Sequence, residues 1–453
     1  MNEKQEAIYD AKELGAGKTL ILGLQHLFAM FGATVLVPAL TGLNVSTTLL
    51  FAGLGTLLFH LITGRKVPAF LGSSFAFLGA YGLVTASGQN IPLTYSGIGV
   101  AVAGLVYLLL ALLFKVFGAQ KVMRFFPPIV TGPVIICIGL TLAGTAISSC
   151  TSNWWVALAA IAIVVVANIW GKGMIKIIPI LLGVIGSYLL AVVIDPSARA
   201  AVVQKVSEAK WIGLPVGWNE CGLSIFNKDL DVSMLITAII TIAPISLATI
   251  VEHVGDVCAI SSTVGKNYVA DPGLHRTLVG DGVATSLAAL FGGPANTTYG
   301  ENTGVLALSK VYDPKVVRLA AYFAILLSFC PKFAALIVAM PAATMGGVSL
   351  VLYGMISSVG VRNVVENQVD FTKSRNVLIA ALILGLAIGI KYGTAAGIVI
   401  PVGSITITLS GLAVAAIVGI VLNAVLPGKD YEFGANDQGD KSVNFGTRAN
   451  DQE

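Results

Sequence analysis

The 453-residue chain is 56% hydrophobic and only 11% charged, with a mean hydropathy of +0.87. Soluble domains carry roughly 25% charged residues, so this deficit excludes a soluble globular protein and points to an all-α polytopic membrane protein. The net charge of +4 does not signal nucleic acid, because the lysines and arginines follow a membrane topology instead.

Residues 1–17 are polar and mixed in charge, a cytoplasmic N-terminal tail. No short apolar core with a small-residue cleavage site follows, so the first span is expected to serve as the insertion signal. Apolar runs bounded by charges or turn residues then predict fourteen spans, at about 18–40, 46–64, 68–84, 95–117, 126–148, 153–170, 177–195, 233–262, 277–292, 297–312, 316–340, 342–360, 374–390 and 403–426. Spans 3 and 10 are short and rich in Gly, Ser or Thr. Charge argues for keeping both. With the N-terminus inside, most lysines and arginines fall on the inner side, whereas Arg199, Lys205, Lys210 and Lys228 sit together in an outer loop, 196–232. Positive charge resists translocation, and dropping one weak span would reverse every downstream side. Both termini are therefore expected in the cytoplasm, and the Gly/Asn/Asp-rich tail 428–453 is expected to be disordered.

The chain also repeats. QHLFAMFG from Gln25 matches EHVGDVCA from Glu252, and FLGSSFAF (70–77) matches TTYGENTG (297–304), both at an offset of about 227 residues. FFPPIVTGPVIICIGL (125–140) echoes AMPAATMGGVSLVLYG (339–354). Seven spans per half is odd, so the second half is expected upside down relative to the first, an arrangement typical of secondary transporters.

Of 23 acidic residues, only Glu252, Asp256, Asp281 and Glu301 fall inside these spans rather than at their edges. A charge at mid-bilayer costs roughly 2.5–3.5 kcal/mol even on a lenient scale, so such residues are paired, protonated or working. Asp281, near the start of its span, reads as a helix-end residue close to the headgroups. Glu252 and Asp256 are i and i+4 on one helix face. Two carboxylates so placed do not both ionise readily in a dry site, which makes them a candidate proton carrier rather than only a structural pair. Glu301 lies in a broken span. Gly300 and Gly304 permit a turn there, with TTY suited to a short strand and GVLALS to a half-helix; GSSF (72–75) would do the same in span 3. Two half-helix N-termini would then offer N–H donors near mid-membrane. His26, beside Gln25, reads either as a site residue or as a support; His253, about 100° round the helix from Glu252, reads as packing. Tyr299 and Phe75 would wall a flat ligand between the breaks. The five cysteines show no metal spacing; Cys150 and Cys221 could pair, although unpaired thiols are expected. No Walker A, HExxH or GxSxG motif is present, so no enzyme, metal or cofactor is expected.

LQHLFAMFGATVLVP, FLGSSFAF, VEHVGD, DPGLH, ENTGVLALSK and MGGVSLVLYG together resemble the nucleobase–ascorbate transporters (nucleobase:cation symporter-2) over all but the two tails. Within that family they look most like the bacterial proton-coupled uracil permeases. The resemblance implies two inverted repeats of seven spans, with a core domain at 18–120 and 233–340 (spans 1–4 and 8–11). A gate domain would take 121–195 and 341–427 (spans 5–7 and 12–14), in a homodimer in the inner membrane. It further implies that Glu252 and Glu301 take the base from two sides, and that backbone N–H groups at Phe75 and Gly300 bind a carbonyl. Tyr299 and Phe75 would sandwich the ring, Ser349 and Tyr353 would line the gate side, and His26, Gln25, Asn302 and Ser74 would support. Uracil, with two ring N–H donors and two carbonyls, suits such a site. Purine-type members usually carry Gln at the position of Glu301. The uracil permeases carry His where this chain has Asp256, a position where purine-type members often carry Asp, and many members carry Thr where it has Ser309. The expected function is proton-coupled uracil import driven by the proton gradient. Xanthine or purine symport and anion transport are the alternatives, the latter disfavoured by a site of acids without a lysine or arginine.

Overall fold

A computed structural model describes residues 7–86, 91–227, 230–394, 397–402 and 405–428. The tail expected to be disordered lies outside these residues, except Gly428. Helix follows helix: α1 (Gly15–Thr41), α2 (Val45–Ile62), α3 (Leu78–Ala86), α4 (Leu93–Phe117), α5 (Ala119–Met123), α6 (Pro128–Cys150), α7 (Trp154–Ile169), α8 (Met174–Ile177), α9 (Pro179–Ile194) and α10 (Pro196–Glu208). Then come α11 (Val232–Ile242), α12 (Ser246–Val264), α13 (Leu274–Leu290), α14 (Gly300–Ser309), α15 (Pro314–Ser328), α16 (Pro331–Val338), α17 (Ala342–Glu366), α18 (Ser374–Gly393) and α19 (Gly411–Val425). Two antiparallel strand pairs complete the fold: β1 (Leu71–Ser73) with β2 (Asn296–Thr298), and β3 (Ile398–Val402) with β4 (Ile405–Leu409).

Among the described residues, seven helical segments are long and apolar enough to cross a membrane alone, and nine if each of two bent pairs counts as one. Local chemistry sets the ends. Asn44, Asn153, Asp313 and Ser410 cap α2, α7, α15 and α19 through side-chain oxygens. Proline sets the breaks. Pro244 lies in the 3-10 turn Ala243–Ile245 between α11 and α12, while Pro196 and Pro331 begin helices turned 111° and 87° from their predecessors. The outer loop expected at 196–232 therefore begins with a helix, α10, tied to the α16 segment by Lys205 Nζ on Val338 O (3.0 Å) and Lys332 Nζ on Val206 O (2.7 Å). The last predicted span, 403–426, needs correcting: Ile405–Leu409 is the strand β4, paired with β3, and the helix starts at Gly411. ITITL alternates β-branched residues, a strand pattern rather than a helical one.

The helices fall into two groups. In one, α2 packs on α13 and α15, α4 on α11 and α13, and α1 on α15; in the other, α6 packs on α17 and α18, α7 on α9 and α17, and α18 on α19. The chain before α1 is strapped to the first group. Ile8 N donates to Lys310 O (2.9 Å), Tyr312 N to Ile8 O (2.8 Å), Ala11 N to Asp313 Oδ2 (2.8 Å) and Tyr9 OH to Val264 O (2.8 Å).

Candidate functional site

Strands inside lipid must have their backbone groups satisfied by protein. Here β1 and β2 pair Leu71 with Thr298, Gly72 with Thr297 and Ser73 with Asn296. The ladder extends through Ser74 N to Ala295 O and Tyr299 N to Phe70 O, each 2.9 Å. Helix side chains take the outer edges. Leu71 N donates to Thr56 Oγ1 (2.9 Å), and Thr285 Oγ1 donates to Asn296 O (2.9 Å). Tyr299 OH donates to Ser73 O (2.7 Å), so its ring lies over β1, where a Cβ on Gly72 would fall 2.5 Å from it. Each strand then turns into helix, β1 through a 3-10 turn at Phe75–Phe77 and β2 into α14 at Gly300. The first residue of a helix has no N–H acceptor within that helix, so Phe75 and Gly300 present donors.

Phe75 and Gly300 line a cavity of about 630 Å3, well within the size of a small-molecule site. The two strand–helix junctions, α12 and α14 supply Ser74, Phe75, Glu252, Asp256, Thr298, Tyr299, Gly300 and Glu301; α6 and α17 supply Thr131, Leu352, Met355, Ile356 and Val359. Glu252, Asp256 and Glu301 are near enough to act on one another's charge. A Cβ on Gly300 would lie 3.2 Å from Asp256 Oδ1, so glycine lets the strand–helix junction approach that acid. At the far end the lining includes Met123, Ser262, Thr263, Arg362 and Glu366. Arg362, the cation there, pairs with Glu366 at 3.2 Å.

The structure thus brings together Glu252, Asp256, Glu301, Phe75, Tyr299, Gly300 and Ser74. It does not bring Ser349 and Tyr353 to the wall: both are buried outside the lining, where Tyr353 meets Phe75 edge-on at 5.6 Å. The α17 stripe that faces the cavity runs through Leu352, Met355, Ile356, Val359 and Arg362, one helical face displaced from the expected one. His26 is also buried away from the cavity. Asn302 Nδ2 donates to its backbone O (3.1 Å) and lies 3.1 Å from its Nδ1, so the pair pins α14 to α1. Gln25, beside it, is outside the lining as well.

One expectation fails. Asp281 is no headgroup residue: its side chain is wholly buried in α13, 3.0 Å from His253 Nδ1. His253 is a buried packing residue with both ring nitrogens hydrogen-bonded, to Thr298 Oγ1 (3.1 Å) and Thr277 Oγ1 (3.0 Å). Hydropathy placed Asp281 near its span's edge; only the packing of α12, α13 and β2 brings these groups together. Cys150 and Cys221 are both free and buried, as expected for unpaired thiols.

Comparison with known proteins follows the same line. The model of a permease family, Xan_ur_permease, matches residues 17–396. The chain is 42% identical to the uracil permease of Bacillus caldolyticus, over 91% of this chain and 93% of that one. It is 37% identical to the uracil permease of Escherichia coli K12, over 90% and 91%. The putative pyrimidine permease RutG of the same strain is 37% identical, over 92% and 91%. Among solved structures, the transmembrane domain of the cyanobacterial bicarbonate transporter BicA aligns with a TM-score of 0.54 at 15% identity, covering 92% of this chain and 99% of that one. SLC26A9 aligns with a TM-score of 0.63 at 12% identity, covering 92% and 66%. At such identities the likeness is one of fold.

Proposed function

This chain belongs to the nucleobase–ascorbate transporter family, and from that premise we propose that it is a secondary transporter importing uracil with protons across the cytoplasmic membrane. It is a permease and not an enzyme. The observation that carries the reading is the grouping of Glu252, Asp256 and Glu301 with the N–H ends at Phe75 and Gly300 around one cavity. Carboxylates accept from the two ring N–H groups of uracil, backbone N–H groups donate to its carbonyls, and Phe75 offers an aromatic face. Glu301 and the relatives named uracil permeases favour this base over xanthine, whereas Asp256 is shared with purine-type members. The shared fold of bicarbonate and anion carriers leaves anion transport as the other class. A site of three acids, whose cavity has its arginine paired at the mouth, disfavours it.

Alternating access has support in the packing. Exchanging each span for the one seven further along turns the contact of α2 with α15 into that of α13 with α4, and the contact of α6 with α18 into that of α17 with α7. The β1–β2 and α6–α17 contacts map onto themselves. This is the pattern an inverted repeat of seven spans produces, with core and gate as its two groups. The cavity runs from the strands toward Met123, Thr263 and Arg362, near Arg124 and Lys266, on the side expected to be cytoplasmic. Between α3, α6 and α19 lies a separate, smaller pocket of about 60 Å3. We therefore read the conformation as inward-facing. A homodimer, both termini inside and fourteen spans complete the proposal.

The test is uptake of labelled uracil into proteoliposomes with and without an inward proton gradient, with xanthine as competitor. Gradient-driven uracil accumulation that xanthine does not suppress is expected. Accumulation independent of the gradient would remove the symport assignment, and uptake of xanthine without uracil would remove the substrate.

A further inference from the structure

Beneath the cavity runs a line of hydrogen-bonding groups that no transport role yet includes. Thr298 Oγ1 donates to Asp256 Oδ2 at 3.2 Å, and on its other side lies 3.1 Å from His253 Nδ1. The same ring nitrogen is 3.0 Å from Asp281 Oδ2, and both side chains are wholly buried. Thr298 Oγ1 has one proton and gives it to Asp256, so towards the ring it can only accept, and Nδ1 is the donor; Asp281 Oδ2 beside that N–H adds electrostatic support. Nε2, 3.0 Å from Thr277 Oγ1, can accept from that hydroxyl or donate to it, because Thr277 can turn its own proton to Leu274 O at 3.1 Å. Either charge state of the ring therefore keeps Nδ1–H. With Nδ1–H aimed at Thr298 Oγ1, the threonine has one proton left, and Asp256 is where it points.

We propose that His253, anchored by Asp281, is a positioning residue for proton coupling, fixing the Thr298 hydroxyl as a donor to Asp256. The consequence is that the charged form of Asp256 always finds a donor ready, so the pH at which this acid exchanges its proton is set partly from beneath the cavity. The charged and titratable groups facing it are Glu252 and Cys258 on its own helix, Glu301 on α14, Asp281 on α13, and Tyr107 on α4, whose ring meets His253 at 6.5 Å. This inference rests on the proton-symport reading above.

The test is the pH profile of uracil uptake in proteoliposomes, across about pH 4–8 where carboxylates and histidine titrate, each variant normalised to its own maximum. Thr298→Val removes the hydroxyl and should displace the profile by about half a unit or more, the scale of one hydrogen bond. Thr298→Ser should restore it, and Thr298→Ala serves if the valine variant does not insert. Asp281→Asn should displace the profile too, and the double variant should move no further than Thr298→Val alone, because Asp281 acts through the threonine. A sloped wild-type profile left in place by Thr298→Val, or shifts that add in full, would overturn the proposal. A flat wild-type profile would instead remove the symport reading and this inference with it.

Discussion

Glu301 stands in the first turn of α14, partly exposed to the cavity, where the helix N-terminus favours an acceptor. Glutamine at this position keeps shape and hydrogen bonding but removes charge. A charge-assisted hydrogen bond is worth about 1.5–3 kcal/mol, so Glu301→Gln should weaken uracil binding roughly ten- to a hundredfold, read from competition for labelled uracil. Wild-type affinity in the variant would show that Glu301 does not read the base. Asp256 has a different place, against Gly300 and Thr298 at the junction of strand and helix. Asp256→Asn should reduce the dependence of uptake on the proton gradient by a larger factor than it reduces binding. Equal losses in both would place Asp256 in substrate binding instead.

At the scale of elements, the paired strands are the least expected structures in lipid and the best supported. Thr56, Thr285, Tyr299 and Asn296 each close one of their backbone or side-chain bonds, the last through Asn296 Nδ2 to Phe51 O at 2.7 Å. Gly72→Ala would push a methyl into the Tyr299 ring. Overpacking of this kind costs about 1–3 kcal/mol, so a thermal shift assay should show a lower melting temperature, and an unchanged one would mean the ring can move aside. The N-terminal strap is a second element with a clear electrostatic signature. The Lys12 backbone N–H, followed by Lys315 at 3.1 Å, holds the Asp10 carboxyl below its usual value of 3.8, and Asp10 in turn raises the Lys315 amine. Stability from Asp10 is thus complete above 3.8 and lost as pH falls through its depressed folded value. That from Lys315 is complete below 10.5 and lost as pH rises through its raised one. Cleavage of the strap by an added protease should therefore be slow and flat near neutral pH, and faster in Asp10→Asn. No difference between the two would show that the backbone bonds at Ile8 and Ala11 hold the strap alone.

For the whole molecule, the fold is shared with a bicarbonate transporter and with the murine anion transporter Slc26a9, so architecture alone does not select a substrate. Under the proposed function, the acids lining the cavity would make that distinction. Cys258, a native thiol in the lining, offers a direct reading of occupancy and access. A membrane-permeant maleimide should label it, uracil should slow the labelling, and Cys258→Ser should abolish the uracil-sensitive fraction. Labelling indifferent to uracil would argue that the base does not bind in this cavity.

Composition and motifs by themselves determined that this is a helical membrane protein of the nucleobase–ascorbate transporter family. They also located the two broken segments, because a lipid-facing chain cannot hide an acid or a run of Gly, Ser and Thr from a hydropathy scan. Glu252, Asp256, Glu301, Phe75 and Gly300 were legible for the same reason. Tertiary structure alone decided the rest. A threonine, a histidine and an aspartate far apart in sequence became one hydrogen-bonded line because α12, α13 and β2 converge. Ser349 and Tyr353 left the cavity wall, and His26 became the brace for Asn302, because which face of a helix meets a cavity depends on how its neighbours pack, and packing is not written in any local pattern.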